Sequence, residues 1–424
     1  MEYTSSPLIA NDTVVFGILA FLLGIIFYTA NSPSKVFTKF YAIVPALLLC
    51  YLLPALLASC GIISDKSSNL YFVASRYLLP AALILMTLSI DAKAIINLGP
   101  KALIMFLTGS FGIVIGGPIA LLLVGVISPE SVGDNDFDAL WRGLATIAGS
   151  WIGGGANQAA MLEIFKYNPE KYGGMVLIDI VVANIWMAII LLGVGKTKKI
   201  DAWLKADTTA IDELKIKVAA TSKKITRIPT LSDYMMLLGL AFTGVGIAHF
   251  FGNAISFSLD ASFETIQNKK GFLSFFGSSF FWMVLTATAV GIALSFTKAS
   301  AYEGAGASKI GSIFIYILVA TIGMKMDLSK VLENPGLILI GVIWISVHAI
   351  LMITVAKLIK APYFFLAVGS QANVGGAASA PIVAAAFHPS LASVGILLAV
   401  MGYVVGTGGA LFCAYLMEIA SQLP

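Results

Sequence analysis

Charge is what this 424-residue chain has least of: Asp, Glu, Lys and Arg make up only 11% of it, against about a quarter in an ordinary soluble domain. With 58% hydrophobic residues and a mean hydropathy of +0.93, too little polar surface remains to keep a fold of this size in water. Cysteine is scarce as well. Cys50, Cys60 and Cys413 lie in or at the edge of apolar stretches, and an odd, scattered set excludes a disulfide framework and a zinc spacing. There is no phosphate loop, serine elbow or basic patch interleaved with aromatics, so enzyme chemistry, an organic cofactor and a nucleic-acid partner are not expected. Without a nucleotide-binding module, any work the chain does must draw on an ion gradient. The segment before Thr13 lacks the basic-then-apolar order of a cleaved signal peptide, so the first apolar run is expected to stay as a span.

What the chain does have is apolar length. Runs of about 20 residues, each able to cross a hydrocarbon layer roughly 30 Å thick, occur at 12–30, 40–60, 70–90, 101–126, 139–165 and 172–195, and again at 231–251, 272–296, 308–325, 335–357, 362–388 and 391–417. The fold class is therefore all-α and polytopic, set in the cell (inner) membrane with lipid around it. Between the two sets lies a stretch with Lys196, Lys198, Lys199, Lys205, Lys215, Lys217, Lys223, Lys224 and Arg227 against four acids. It reads as a connector, partly an amphipathic surface helix, and its lysines place it in the cytoplasm. The loop with Glu130, Asp134, Asp136 and Asp138 has no base before Arg142 and suits the outer face.

The two sets resemble each other. "LMTLSIDAKAIINLGPKALIMF" (85–106) matches "LVATIGMKMDLSKVLENPGLILI" (318–340), which sets Asp91 against Asp327 and Pro100 against Pro335. "GSWIGGGANQAA" (149–160) matches "GSQANVGGAASAP" (369–381). Collinear matches of this kind mark a duplicated transporter: a first repeat over 1–195, a connector over 196–230 and a second repeat over 231–424, each with five or six spans. An inverted repeat needs an odd number of crossings between equivalent helices, whereas these segments give six. Inversion is the expected arrangement, with a miscounted segment, and 231–296 is the stretch most open to recounting.

The chemistry concentrates at the glycine runs. Gly149, Gly153, Gly154 and Gly155 fall within seven positions, each costing a helix about 1 kcal/mol relative to alanine. Ser150, Asn157 and Gln158 flank them, and Ser370, Gln371, Asn373, Gly375, Gly376 and Ala377 repeat the arrangement, with Pro381 expected in the first turn of the following half-helix. Each half thus holds one discontinuous helix, the two breaks expected to face each other near the midplane. Backbone freed at that depth needs a cavity or protein to satisfy it; carbonyls closing a first half-helix suit Na⁺ and amides opening the second suit an anion. Close helix packing is the other reading of such glycines. Ser150, Asn157, Gln158, Ser370, Gln371 and Asn373 are candidate ion ligands; Gly153, Gly154, Gly155, Gly375, Gly376 and Ala377 are candidates for the solute. No transition-metal site is expected.

Asp179, inside "MVLIDIVVANIWMAII", is a carboxylate at membrane depth and by default a functional candidate, for Na⁺ or for a proton. Asn184 on the same segment, and Tyr403 and Thr407 on its counterpart, are candidate cavity residues. Glu163 and Arg76 are expected to reach the interface, Asp91 and Asp327 to cap helices, and His348 to make an interhelical hydrogen bond. His249 and His388 carry no functional expectation.

"GGGANQAA", "EGAGASKIG" (303–311), "LVATIGMKMDL" and "SQANVGGAASAP" together resemble the membrane family called domain of unknown function 819, across essentially the whole chain. That family is grouped with the sodium–proton antiporter, bile acid–sodium symporter and glutamate–sodium symporter superfamily. The resemblance implies a scaffold domain, a core domain of two crossed discontinuous helices, elevator-type motion, a homodimer joined through the scaffold, and Asp179 as the ion-site acid. Proton antiporters of that superfamily carry paired polar residues where Asp179 stands between Ile178 and Ile180. The departure leans away from proton antiport and towards Na⁺-coupled symport, the expected cargo being a small organic solute that bears a carboxylate; a cation–proton antiporter using Asp179, or a channel or sensor, are the alternatives.

Overall fold

A computed structural model describes residues 7–41, 44–64, 68–89, 92–127, 136–207, 211, 228–262, 272–326, 336–388 and 391–422. Every regular element among them is helical. The first half holds α1 (Asp12–Ala30), α2 (Lys35–Tyr41), α3 (Ala46–Ser59), α4 (Leu70–Leu88), α5 (Ala92–Ile96), α6 (Pro100–Ile127), α7 (Leu140–Phe165) and α8 (Tyr172–Val194). After α9 (Thr197–Leu204) come α10 (Leu231–Ser262), α11 (Ser279–Ser295), α12 (Ala307–Gly323), α13 (Gly336–Leu358), α14 (Tyr363–Val374), α15 (Gly376–Phe387) and α16 (Ala392–Ser421). Seven of these, α1, α4, α6, α8, α10, α13 and α16, are long and apolar enough to cross a membrane, and up to nine spans result if each of two bent pairs counts as one. The chain is a multi-span helical membrane protein.

The broken segments do not cross. A continuous helix over α7 would hold its ends roughly 37 Å apart. Instead Arg142 near the start donates to the carbonyl of Phe165 at the end, at 2.7 Å, and the rings of Trp141 and Phe165 lie 5.4 Å apart. Midway, a side chain at Gly149 would strike the backbone of Asn157 and the side chain of Met161. α7 is a hairpin of two short arms, turned at Gly154, whose φ of 73° and ψ of −177° belong to backbone that side chains exclude. α14 and α15 form a second hairpin: the Phe364 and Phe387 rings meet at its base, 5.3 Å apart, and Gln371 donates to Ser379 at 2.7 Å near its turn. Arms of 12 residues reach only about 18 Å into the bundle.

The hairpins enter from opposite ends. The base of the first sits at the start of α8, where Asn168 donates to Asp138 at 2.8 Å and Lys171 pairs with the same carboxylate at 3.0 Å. The base of the second sits at the far end of α8, where the Tyr363 hydroxyl donates to the Ile190 carbonyl at 2.8 Å. The two crossed helices expected from the sequence are thus corrected to two opposed fold-backs. Both read as spans in the sequence; in the 231–296 stretch α10 is long enough to cross, while α11, of 17 residues, does so only as a bent pair with Lys298–Ala305. Pro381 is also further along than expected, the sixth residue of α15.

Packing divides the helices into two groups. α3, α4, α10, α11 and α12 pack chiefly on one another, with α1 against α3 and α12, while α6, α7, α8 and α13 to α16 form the other group. Glu163 and Arg76 join them. Rather than snorkelling to the interface, Arg76 of α4 meets Glu163 of α7 at 2.8 Å and lies over the Phe280 ring, 4.3 Å from its centre. The Tyr71 hydroxyl donates to the other oxygen of Glu163. Arg76 stands in a π-helical turn, Ala74–Leu78, and its carbonyl accepts from His249 at 2.8 Å. Asp91, Asp327, Glu130, Asp134 and most of the connector lie outside the described residues.

Candidate functional site

Asp179 is the hub of the first hairpin. It is buried on α8, and its Oδ1 accepts from the Trp151 indole at 2.7 Å. Its Oδ2 accepts from the Ser150 hydroxyl at 2.7 Å and from the Gln158 amide at 3.0 Å. Ser150 and Trp151 precede the turn at Gly154 and Gln158 follows it, so one carboxylate ties both arms to α8. Three donors occupy most of the roughly four lone-pair positions of a carboxylate. Asn157, fully buried, donates to the Gly153 carbonyl at 2.9 Å and accepts from Thr407 of α16 at 2.5 Å. α16 approaches so closely here that a side chain at Gly153 would run into the Cα of Gly406. Gly154 thus turns the chain, while Gly149 and Gly153 let neighbours approach.

The second hairpin is tied in the same manner through other partners. Asn373 donates to the carbonyls of Phe106 and Gly369, both at 2.9 Å, and accepts from Ser110 of α6 at 2.7 Å. Ser370 lies 2.7 Å from His348 Nε2 and accepts from the Trp186 indole at 2.8 Å. His348 Nδ1 lies 3.0 Å from the Gly109 carbonyl. A carbonyl only accepts, so in the neutral ring Nδ1 carries the proton and Ser370 donates to Nε2. This is the interhelical bond expected of His348. α8 thus grips both hairpins, with Asp179 on the first and Trp186, two turns on, on the second.

The turns converge on α16. A side chain at Gly402 would contact the Ile152 carbonyl of the first hairpin at 2.6 Å and the Ala372 carbonyl of the second at 3.8 Å. Both belong to the last turn of a first arm, where helix carbonyls lose intrahelical partners. Near them, Gln371 is 1% exposed and its Oε1 has no donor among the described residues. Gly376 takes a φ of 55°, and Ala377, at the start of α15, is exposed. Tyr403 packs on the first turn, 3.4 Å from where a Gly154 side chain would begin, and Gly155 faces Ile315 of α12.

The structure thus gathers Ser150, Gly153, Gly154, Asn157, Gln158, Asp179, Tyr403 and Thr407 around one turn, and Ser370, Gln371, Asn373, Gly375, Gly376 and Ala377 around the other. Asn184 is not brought in; it is exposed and donates to Ile180 of its own helix at 2.7 Å. Trp151, Trp186 and Ser110 were not singled out in the sequence. An indole N–H in an apolar run was the available signal, since it must find an acceptor when buried. Among the described residues no three of His, Cys, Asp and Glu cluster as metal ligands.

Residues 17–419 match the family model described as protein of unknown function (DUF819). The chain belongs to the DUF819 family. It is 26% identical over 353 residues to the uncharacterized membrane protein YjcL of Bacillus subtilis (strain 168), a match covering 80% of this chain and 81% of the relative.

Proposed function

We propose that this DUF819 protein is a secondary active transporter that couples Na⁺ to the movement of a small organic solute bearing a carboxylate. The observation that carries this reading is the convergence of two glycine-turned hairpins, entering from opposite ends, on Gly402 of α16. First-arm carbonyls and Gln371 Oε1 offer Na⁺ the neutral oxygens it favours, and the exposed start of α15 offers amides to an anionic group. Asp179 holds the first hairpin's geometry through its three donors.

Opposed hairpins also support an inverted repeat. With α7 counted as a fold-back, and α11 with its bent continuation Lys298–Ala305 as one span, the crossings from α4 to its counterpart α12 are five (α4, α6, α8, α10 and α11), which is odd. The two helix groups fit a scaffold and a core that moves against it as an elevator, with the scaffold face pairing in a homodimer. The lysine-rich connector is cytoplasmic in this reading, and the membrane is the cell's inner one. No catalytic role or cofactor is proposed.

The test is uptake and thermal stability of purified protein across organic acids, amino acids and short peptides, with and without sodium. A ligand that binds only the folded state raises the melting temperature, and here it should do so only with sodium present. Asp179→Asn and Asn157→Ala should abolish the sodium-dependent uptake. Uptake indifferent to sodium would sink the symport reading. The second reading, a cation–proton antiporter, is favoured by the burial of Asp179; it requires sodium alone to drive protons across proteoliposomes. A channel or sensor would show neither saturable counterflow nor coupling.

A further inference from the structure

We propose that α9, together with the adjoining ends of α8 and α13, is a docking surface for anionic phospholipid headgroups that steadies the base of the second hairpin. The tertiary structure assembles this surface from two distant stretches of chain. Lys196, Lys198, Lys199 and Lys205 surround α9, just after α8 ends at Val194; Lys357 and Lys360 close α13. The Lys357 ammonium lies 4.2 Å from the ring centre of Trp203, which pins the two stretches together. All six lysines are exposed, and none lies within 4 Å of a carboxylate of a described residue.

The level of these lysines identifies the occupant. α8 and α13 are apolar spans of 23 residues each; Lys196, Lys198, Lys199, Lys357 and Lys360 lie within five positions of where they end, and Lys205 follows α9, close to where the Asp207 amide donates to the Lys360 carbonyl at 3.2 Å. Trp203 is 54% exposed and Leu358 75% exposed, an aromatic and an aliphatic side chain suited to the boundary between acyl chains and headgroups. Leu204, by contrast, is buried beneath α9. Clusters of four to eight basic residues beside a span attract anionic lipid. Phosphate oxygens at the height of the ammonium groups are therefore the complementary partner.

α9 is also fastened to the hairpin. Asp201 accepts from the Tyr363 amide, the first of α14, at 2.8 Å, and just beyond it Asp207 pairs with Lys101 of α6 at 3.2 Å. A lipid that immobilises α9 thereby immobilises the point where the second hairpin leaves α13. This inference is independent of the transport reading.

The experiment compares the full chain in nanodiscs of phosphatidylcholine with and without phosphatidylglycerol, following amide hydrogen exchange. Residues 197–207 and 363–370 should exchange several-fold more slowly with phosphatidylglycerol, while α6 is unchanged. The combined Lys198→Gln, Lys199→Gln and Lys205→Gln variant, altered only at exposed positions, should lose that difference, and high salt should weaken it. Equal exchange in the two lipids would overturn the proposal, as would a difference that survives in the triple variant. Slowing in neutral nanodiscs on addition of inorganic phosphate would show a soluble anion site and overturn it as well.

Discussion

Asp179 and Gln158 meet at 3.0 Å across the turn of the first hairpin, and because the same carboxylate holds Trp151 on the other arm at 2.7 Å, Asp179 staples the two arms together. A buried acid in a membrane protein invites a role as ion ligand; here its lone pairs are largely spent on the protein. Its contribution to the proposed function is to fix where the turn at Gly154 stands.

Replacing Asp179 by Asn puts an amide donor where a donor already points. At least one of Ser150, Trp151 and Gln158 then loses its acceptor, at about 1–3 kcal/mol for a buried group. Asp179→Asn should lower the melting temperature and speed exchange across 150–158. Unchanged exchange there would mean that the staple does not hold the arms.

Gly154 and Gly155 are neighbours with opposite tolerance. A side chain at Gly154 must adopt backbone angles that cost roughly 1–3 kcal/mol, whereas one at Gly155 meets Ile315 at an ordinary 3.5 Å. Gly154→Ala should reshape the turn and abolish sodium-dependent uptake with helix content intact by circular dichroism. Gly155→Ala should retain uptake.

Thr407 donates to Asn157, so Thr407→Val leaves the buried side-chain carbonyl of Asn157 without its donor, at about 1–3 kcal/mol. Thr407→Ser keeps the hydroxyl. The valine variant should melt lower than the serine variant, and two indistinguishable melting curves would remove Thr407 from the site.

Arg76 and Glu163 bridge the two helix groups with side chains 28% and 17% exposed. Breaking a largely buried pair leaves a charge uncompensated. A double-mutant cycle with Arg76→Gln and Glu163→Gln should return a coupling of roughly 1–3 kcal/mol in thermal or chemical unfolding. A coupling near zero would show that Tyr71 and Phe280, rather than the ion pair, hold this contact.

Much of the fold was legible along the chain. The apolar runs at 12–30, 101–126 and 172–195 correspond within a few residues to α1, α6 and α8, because hydrocarbon thickness sets a length that composition reveals. The breaks at Gly154 and at Gly375 and Gly376 were legible too, since clustered glycine among amides is poor helix. Asn184 misled: five residues after Asp179, it stands on another side of α8, and period alone did not reveal which side faced the hairpins.

Composition and glycine spacing by themselves determined the class of this protein, the bounds of long apolar runs such as 12–30, 101–126 and 172–195, and the positions of its two breaks, because these depend on local propensity and on transfer of side chains into lipid. Whether a broken segment continues across the membrane or folds back was decided only in three dimensions. The direction taken after Gly154 depends on what receives the second arm: Asp179 on α8, Thr407 on α16, and the Phe165 carbonyl waiting for Arg142. Those contacts join residues up to 250 positions apart, and nothing in the local sequence records them.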